Sequence, residues 1–489
     1  MRLSGPQARA IVQPMLRLRH SLAHAKARFA EILETEIPKT EIPKTDIPEA
    51  ETHHTQIPSS QSPNPATGSP LDEAIVTFFA APSSYTGEDV IEIACHGSPV
   101  LLEHLLRTCI RSGARLAEPG EFTQRAFLSG RLDLTQAEAV NDLIASSTLH
   151  QARLAAAQLG GSLARIIAPL KRQLIHLIAS LEAGVDFAED DIDLLPEHEI
   201  ARQIKAIQQP LGALAATYAY GRIVREGFIL AIVGRPNAGK SSLFNRLLER
   251  DRAIVTAQPG TTRDPISEPL ALGGIPVQLI DTAGLRDAPP GAEGEAELQG
   301  ILRSRATIAE ADLVLHVLDA TTSSLPDSLQ TDAATNLHPD DASLLASLHG
   351  RLHLVVLNKI DLVPTSPESH GSSAAALLVS VHPISITAHP VSAKTGEGIE
   401  ALKQAILATL SHVPPGADSA VLTNLRQHQA ISQATDALAQ AHLATIHALP
   451  HELLLIDLYA TLTALDLLTG ATAPDEVLNL IFSTFCIGK

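Results

Sequence analysis

One octapeptide limits the possible folds more than any other part of this sequence: Gly234-Arg-Pro-Asn-Ala-Gly-Lys240-Ser241, which fits GxxxxGKS. The apolar run Phe228-Ile-Leu-Ala-Ile-Val before it reads as a buried strand, and Ser242-Leu-Phe-Asn-Arg-Leu-Leu after it reads as a helix. Strand, loop and helix in that order make a phosphate cradle. The glycines let backbone N–H groups turn inward, and the helix N-terminus adds partial positive charge. The expected nucleotide contacts are Asn237, Ala238, Gly239, Lys240, Ser241 and Ser242. Lys240 would reach the β- and γ-phosphates, and Ser241 Oγ would ligate Mg²⁺.

Three further motifs follow in the order a GTPase needs. Gly260-Thr261-Thr262-Arg-Asp lies about twenty residues on, and Thr262 is placed to close on the γ-phosphate and Mg²⁺. Leu279-Ile-Asp281-Thr282-Ala283-Gly284 ends a strand; Asp281 would hold Mg²⁺ through water and the Gly284 N–H would sense the γ-phosphate. Leu354-Val-Val-Leu-Asn358-Lys359-Ile-Asp361 ends another. The Asp361 carboxylate can accept both N1–H and the N2 amine of guanine, groups that adenine lacks, so GTP is expected and not ATP. Ser392-Ala393-Lys394 supplies a loop against the base. Each tetrapeptide is weak alone; all of them in order, each at a strand end, point to a GTPase that works with Mg²⁺. The position after the Asp281 motif holds Leu285, which cannot orient water as a glutamine can. Glu295 and Glu297, at the start of an expected helix behind a Gly/Pro-rich loop, are the acidic candidates. The residues alone leave open whether either is more than a solvated first-turn carboxylate.

The chain has 489 residues, enough for about three domains. Tryptophan is absent and aromatics are 3%, so the cores must be aliphatic. A net charge of −18 excludes a general nucleic-acid binder, whose affinity would come from Lys and Arg on phosphates; a local basic patch or a basic partner is compatible with it. Cys95, Cys109 and Cys486 are too few and too scattered for a disulfide framework or a zinc site, which fits a reducing, cytoplasmic setting. No apolar h-region follows Met1 and no run of 18 apolar residues occurs, so neither a secretory signal nor a membrane span is expected.

Along the chain, residues 1–30 read as a turn followed by mixed apolar sequence. Thr35-Glu-Ile-Pro-Lys then repeats from Thr40 and decays into a Pro/Ser-rich stretch reaching Pro70. This is expected to be a disordered, dispensable surface insertion. Strands are expected over Ala74–Phe79 and Val90–Ala94, with a helix over Pro99–Arg111, so residues 1–130 form an α+β domain. A long Ala/Leu-rich helical region opens at Leu134, capped by Asp133 or Thr135. From Phe228 to about Leu410 strands and helices alternate, implying a parallel-sheet α/β domain. Helical period returns from Leu422 to Leu468. The expected architecture is multidomain α/β plus α. An all-helical domain (131–225 and 415–489) carries an inserted Ras-like P-loop α/β G domain (226–412). Two separate helical modules are the alternative.

The whole chain resembles the MnmE (TrmE) family of tRNA-modifying GTPases. The likeness is carried by Arg2-Leu-Ser-Gly-Pro, Tyr85-Thr-Gly-Glu-Asp-Val, Cys95-His-Gly, Pro119-Gly-Glu-Phe-Thr-Gln-Arg-Ala-Phe-Leu, Arg131-Leu-Asp-Leu, the G-domain motifs above and Phe485-Cys-Ile-Gly-Lys489. It covers everything except residues 30–70 and the loop around 320–350. The resemblance implies an N-terminal domain that binds a tetrahydrofolate derivative and forms a homodimer. It also implies a G domain that hydrolyses GTP with K⁺ as activator. With a flavoprotein of the MnmG (GidA) type, in a heterotetramer, the family adds an aminomethyl-type group to C5 of the tRNA wobble uridine. Residue by residue, the resemblance makes Asn237 a K⁺ ligand and gives backbone groups of Thr256, Gln258 and Thr261 the rest of that site. The intervening Ala257 and Pro259 then lie in the same nucleotide-facing loop. Glu297 matches the catalytic glutamate that positions water, Arg2, Glu92, Arg131 and Lys489 the folate contacts, and Cys486 the modification-linked cysteine. Cys95 and Cys109 read as structural, and His96 as a turn histidine with pocket lining second. The family's N-terminal strand and Gly-rich turn before Arg2 have no counterpart here, and the Pro-rich insertion stands in place of family sequence.

Two other classes compete: a regulatory GTPase switch without modification chemistry, such as a ribosome-assembly factor, and a subunit that only scaffolds a partner. Neither needs the folate-domain motifs or the Cys486-Ile-Gly-Lys end.

Overall fold

The computed structural model describes residues 1–34, 68–186, 195–251, 267–281, 310–321, 337–363, 377–381, 384–410, 420–472 and 474–485. They divide into two units, 1–138 with 473–489, and 139–472.

The first unit is built on a five-stranded antiparallel sheet of β1 (Arg2–Ser4), β2 (Leu16–Leu18), β3 (Lys26–Leu33), β4 (Pro70–Phe79) and β5 (Val90–Ala94), in the order β1-β5-β4-β3-β2. Short helix α1 (Ala8–Val12) follows β1, and α2 (Pro99–Arg111) lays Leu105 and Cys109 on a core with Ile32, Val76 and Ile91. Cys109 is buried there, and burial pushes its thiol up to about 11, which suits a packing role. His96 is exposed in the irregular segment after β5, where Asp72 lies 2.7 Å away. Residues 1–30, read from sequence as turn and mixed apolar chain, contain two three-residue strands, too short to show a period. Helix α3 (Glu121–Leu128) packs on α14 (Asp475–Ser483). Phe482 meets Phe127 and Phe485, and a Cβ on Gly120 (φ +69°) would lie 2.6 Å from the Phe482 carbonyl. Through these contacts the described residues 474–485 belong with the first unit, although they follow the stretch of helical period that ends at Leu468.

The second unit joins a helical bundle to a G domain. Helix α4 (Leu134–Ala145) carries the chain from the first unit into the second and is capped by Asp133, which accepts the Gln136 N–H at 2.8 Å; Thr135 instead donates to that same carboxylate. Helices α5 (Leu149–Leu159), α6 (Ser162–Asp186), α7 (Glu197–Ala216) and α8 (Tyr218–Glu226) follow. Apolar faces of α6 and α7 share one core with α12 (Leu425–Ile446) and α13 (His451–Thr469). The G domain leaves this bundle after α8, at Gly227 (φ +78°), and the chain returns at Ala420–Thr423 beside the same helix. Gln158 on α5 donates to the Val421 carbonyl at 2.7 Å, and Gly221 leaves no room for a Cβ against the Leu422 carbonyl. One helical domain with an inserted G domain is therefore the arrangement.

The G-domain sheet runs β11-β12-β10-β9-β6-β8-β7. Its strands are β6 (Phe228–Val233), β7 (Ser267–Leu272), β8 (Ile275–Asp281), β9 (Leu313–Asp319), β10 (His353–Asn358), β11 (Leu377–Val381) and β12 (Ile384–Pro390). The interior strands are parallel, as the βα pattern implies, but both edges are antiparallel. The reason at one edge is local. Gly273 and Gly274, both at positive φ, turn β7 straight into β8, and so tight a connection can only reverse the strand. Among the described residues, no helix is long and apolar enough to cross a membrane.

The Thr35–Pro70 insertion falls largely on residues outside those described. Its two ends are paired neighbours: the Glu34 N–H donates to the Ser69 carbonyl at 2.9 Å, continuing the β3–β4 ladder. It is an excursion from a hairpin, so cutting it should leave the sheet register intact. Replacing residues 35–67 with Asn-Gly should leave the unfolding free energy from a urea titration unchanged or raise it, by at most about 2.5 kcal/mol of loop-closure entropy. A clear loss of stability in that unfolding experiment would show that the segment packs on the domain.

Candidate functional site

The site is assembled at the C-terminal ends of the parallel strands, starting from β6. That strand is apolar throughout and buried between β8 and β9, as a central parallel strand must be. At its end Gly234 (φ +150°) passes so close to β9 that a Cβ would sit 2.4 Å from the Val317 carbonyl. Asn237 (φ +65°) and Gly239 (φ +90°) turn the chain into α9 (Lys240–Asp251). Lys240 is almost fully buried, and its Nζ donates to the Arg235 carbonyl at 2.8 Å, so the ammonium folds back over its own loop. Asn237, Ser241 and Ser242 are exposed around it, and Ala238 is buried.

Asn358, at the end of β10 and 1% exposed, ties three loops together. Its Nδ2 donates to the Ala238 carbonyl at 3.0 Å and lies 3.4 Å from that of Gly239; its Oδ1 accepts the Ala393 N–H at 3.0 Å. The amide fills the space a Cβ on Gly239 would need, only 2.2 Å away. Lys359 (φ +69°) runs its stem past Gly239 and pairs with Asp319 at 2.7 Å. Burial pushes the Asp319 carboxyl up, but Lys359 and Thr321 outweigh this and hold it below the ordinary range. Asp361 sits on a single 3₁₀ turn, Ile360–Leu362, where Oδ1 accepts the Ser392 hydroxyl at 2.7 Å. The Ala393 and Lys394 carbonyls are clamped by Arg246 of α9, at 2.8 Å for the first. The backbone of the phosphate loop, the Asn-Lys-Ile-Asp motif and the Ser-Ala-Lys motif thus meet in one hydrogen-bonded unit built on the Asn358 side chain.

Asp281 ends β8 beside Ile232, next to the start of the phosphate loop. Thr256, Ala257, Gln258, Pro259, Gly260, Thr261, Thr262, Thr282, Ala283, Gly284, Leu285, Glu295, Glu297, Cys486 and Lys489 lie outside the described residues. Among those described, no cluster of three or more His, Cys, Asp or Glu could hold a metal.

In the first unit a cavity of about 870 Å³ is lined by both Arg2 and Glu92, which pair at 2.8 Å across β1 and β5. Arg115, Glu121 and Arg125 also line it. Glu121 is held at about 2, chiefly by its hydrogen bond from Arg115, with Arg125 and the Glu118 N–H assisting. Arg131 is exposed after the αL residue Gly130 and is not among the cavity's lining residues. The sequence reading missed Asp319, Arg246 and this Arg–Glu–Arg group. Asp319 left a signal, as the acid closing the mostly apolar run Leu313–Leu318, and Glu121 and Arg125 stand in the Pro119-Gly-Glu-Phe-Thr-Gln-Arg motif.

The sheet order, the glycine-shaped phosphate loop and the base-facing loops tied to it define a guanine-nucleotide-binding P-loop GTPase. Two family models match the chain: the MnmE helical domain over residues 134–486, and the GTP-binding protein TrmE N-terminus over residues 1–131. The tRNA modification GTPase MnmE of Koribacter versatilis is 46% identical over 100% of this chain and 95% of its own length. Those of Chlorobium chlorochromatii (40%; 86% and 85%) and Symbiobacterium thermophilum (42%; 86% and 87%) are also similar. The chain belongs to the MnmE (TrmE) family of tRNA modification GTPases.

Removing the Asn358 amide leaves the Ala393 N–H and two phosphate-loop carbonyls to find new partners in a buried place. Asn358→Ala should weaken GDP binding by about 2 kcal/mol or more, roughly 30-fold, in a calorimetric titration. Unchanged affinity in a folded variant would show that the three loops hold their places independently.

Proposed function

We propose that this chain hydrolyses GTP to drive modification of C5 of the tRNA wobble uridine, adding an aminomethyl- or carboxymethylaminomethyl-type group together with a flavoprotein partner in the cytoplasm. The observation that carries the GTP half is the Asn358 junction, which brings the base-reading Asp361 and the phosphate-binding Lys240 onto one framework. The tRNA half is supported by likeness to relatives named tRNA modification GTPase over 85%, 87% and 95% of their length. At −18, the chain needs a local basic surface or a partner to hold tRNA.

Mg²⁺ fits the donors present. Such a site takes two hydroxyls, a second-sphere carboxylate, phosphates and water, so Ser241, Thr262 and Asp281 suffice without a carboxylate cage. K⁺ would be held by Asn237, exposed and in the αL conformation that asparagine tolerates, with Thr256, Gln258 and Thr261. A monovalent cation there neutralises charge that other GTPases meet with an arginine finger. Glu297 would orient the attacking water, since Leu285 cannot. An acidic, ring-bearing folate suits the first unit's cavity: Arg2 offers charge, Glu92 hydrogen bonds, and the apolar wall a stacking surface. Such a folate supplies a one-carbon unit when bound. Arg131 and Lys489 would complete the contacts, Cys486 would serve the modification, and homodimerisation would run through the N-terminal domain.

Two measurements test the GTPase reading. Turnover in KCl should exceed that in matched NaCl at least several-fold, and equal rates would require another charge stabiliser. Asp361→Asn turns an acceptor carboxylate into a mixed amide, so guanine affinity should fall and xanthine nucleotides should bind. Unaltered GTP affinity would move the base site elsewhere.

A further inference from the structure

A polar trio lies beneath the phosphate loop and no sequence motif accounts for it. Arg235, the loop's second residue, donates from Nε to Asp341 Oδ2 at 2.7 Å. Asp341 is 1% exposed, in the first turn of α10 (Pro339–Ser347), within the 320–350 stretch that the family motifs do not cover. Its other oxygen is 3.8 Å from Nε2 of His316, which is wholly buried in β9 in register with Val233, the residue before the loop. A buried ion pair is rarely a better stabiliser than apolar side chains of the same volume, so core packing alone does not explain one here.

What the trio touches does explain it. The Arg235 carbonyl accepts both Lys240 Nζ at 2.8 Å and the Ala238 N–H at 3.3 Å. Fixing the Arg235 side chain therefore fixes the backbone that anchors the phosphate-binding lysine. Asn358 holds the far side of the same loop. We propose that Asp341 is a positioning residue for GTP binding: through Arg235 it locks the phosphate-loop carbonyl that orients Lys240, with His316 packed behind the carboxylate. This rests on reading residues 234–242 as the phosphate loop.

The test uses the full chain and four variants: Asp341→Asn, Arg235→Ala, the double variant, and Lys240→Ala as a control on the loop reading. A fluorescent GDP analogue gives Kd, GTP turnover gives KM and kcat, and a melting curve gives stability. Asp341→Asn should raise Kd and KM together by roughly 10-fold, the scale of one lost charge-assisted hydrogen bond. Arg235→Ala should do the same, and the double variant should be no worse than the weaker single variant, because both act through one contact. If Asp341→Asn does not fold, the double variant, which leaves no guanidinium without its carboxylate partner, carries the same expectation. A lowered melting point with unchanged Kd and KM, or additive losses in the double variant, overturns the proposal. Lys240→Ala should abolish nucleotide binding. If it binds normally, the loop reading fails; if it fails to bind while Asp341→Asn binds normally, only the role of Asp341 falls.

Discussion

The nucleotide site depends on one buried side-chain amide. Asn358 has little exposed surface, so its donors and acceptor must be satisfied by protein, and the groups in reach belong to two other loops. Each loop taken alone is a short irregular segment with few contacts. Joined through one residue at a strand end, they share the rigidity of the sheet. The glycines complete the arrangement: Gly234 admits β9 and Gly239 admits the Asn358 amide, each at a distance no side chain could tolerate.

The same economy appears where the G domain meets its host. The chain leaves for the G domain from the C-terminal end of α8 and returns beside the first turns of the same helix, where Gln158 and Gly221 fix the returning segment. His150 and Tyr220 meet at 2.8 Å, and Leu154, Tyr220 and Ile223 pack against the G-domain core.

The sequence made the interior of the fold legible wherever a local pattern was strong. A six-residue apolar run became β6, and Pro99–Arg111 became α2 with those ends, because burial on both faces or on one stripe leaves a period in the sequence. Strand direction leaves none, so the antiparallel edges were missed although Gly273-Gly274 marked one of them. Three-residue strands near the N-terminus carry too few side chains to alternate. The site was legible as motifs, since phosphate and guanine demand fixed residue types at fixed offsets. How the motifs hold one another was not: Asn358 reaches 119 and 120 positions back, and Arg235 reaches Asp341 106 positions ahead. Docking of the C-terminal helix through Phe482 was likewise invisible to helical period, which says that a face is apolar and not what covers it.

The account joins a guanine-nucleotide engine to a tRNA product, and the most direct measurement reads that product. Nucleosides from total tRNA of a strain lacking this gene should be resolved by liquid chromatography and mass spectrometry, then compared after complementation with the parent chain and with Lys240→Ala. The account predicts wobble uridines without the C5 substituent in the deletion strain, restored by the parent and not by Lys240→Ala. Fully substituted wobble uridines in the deletion strain, or full restoration by Lys240→Ala, would contradict it.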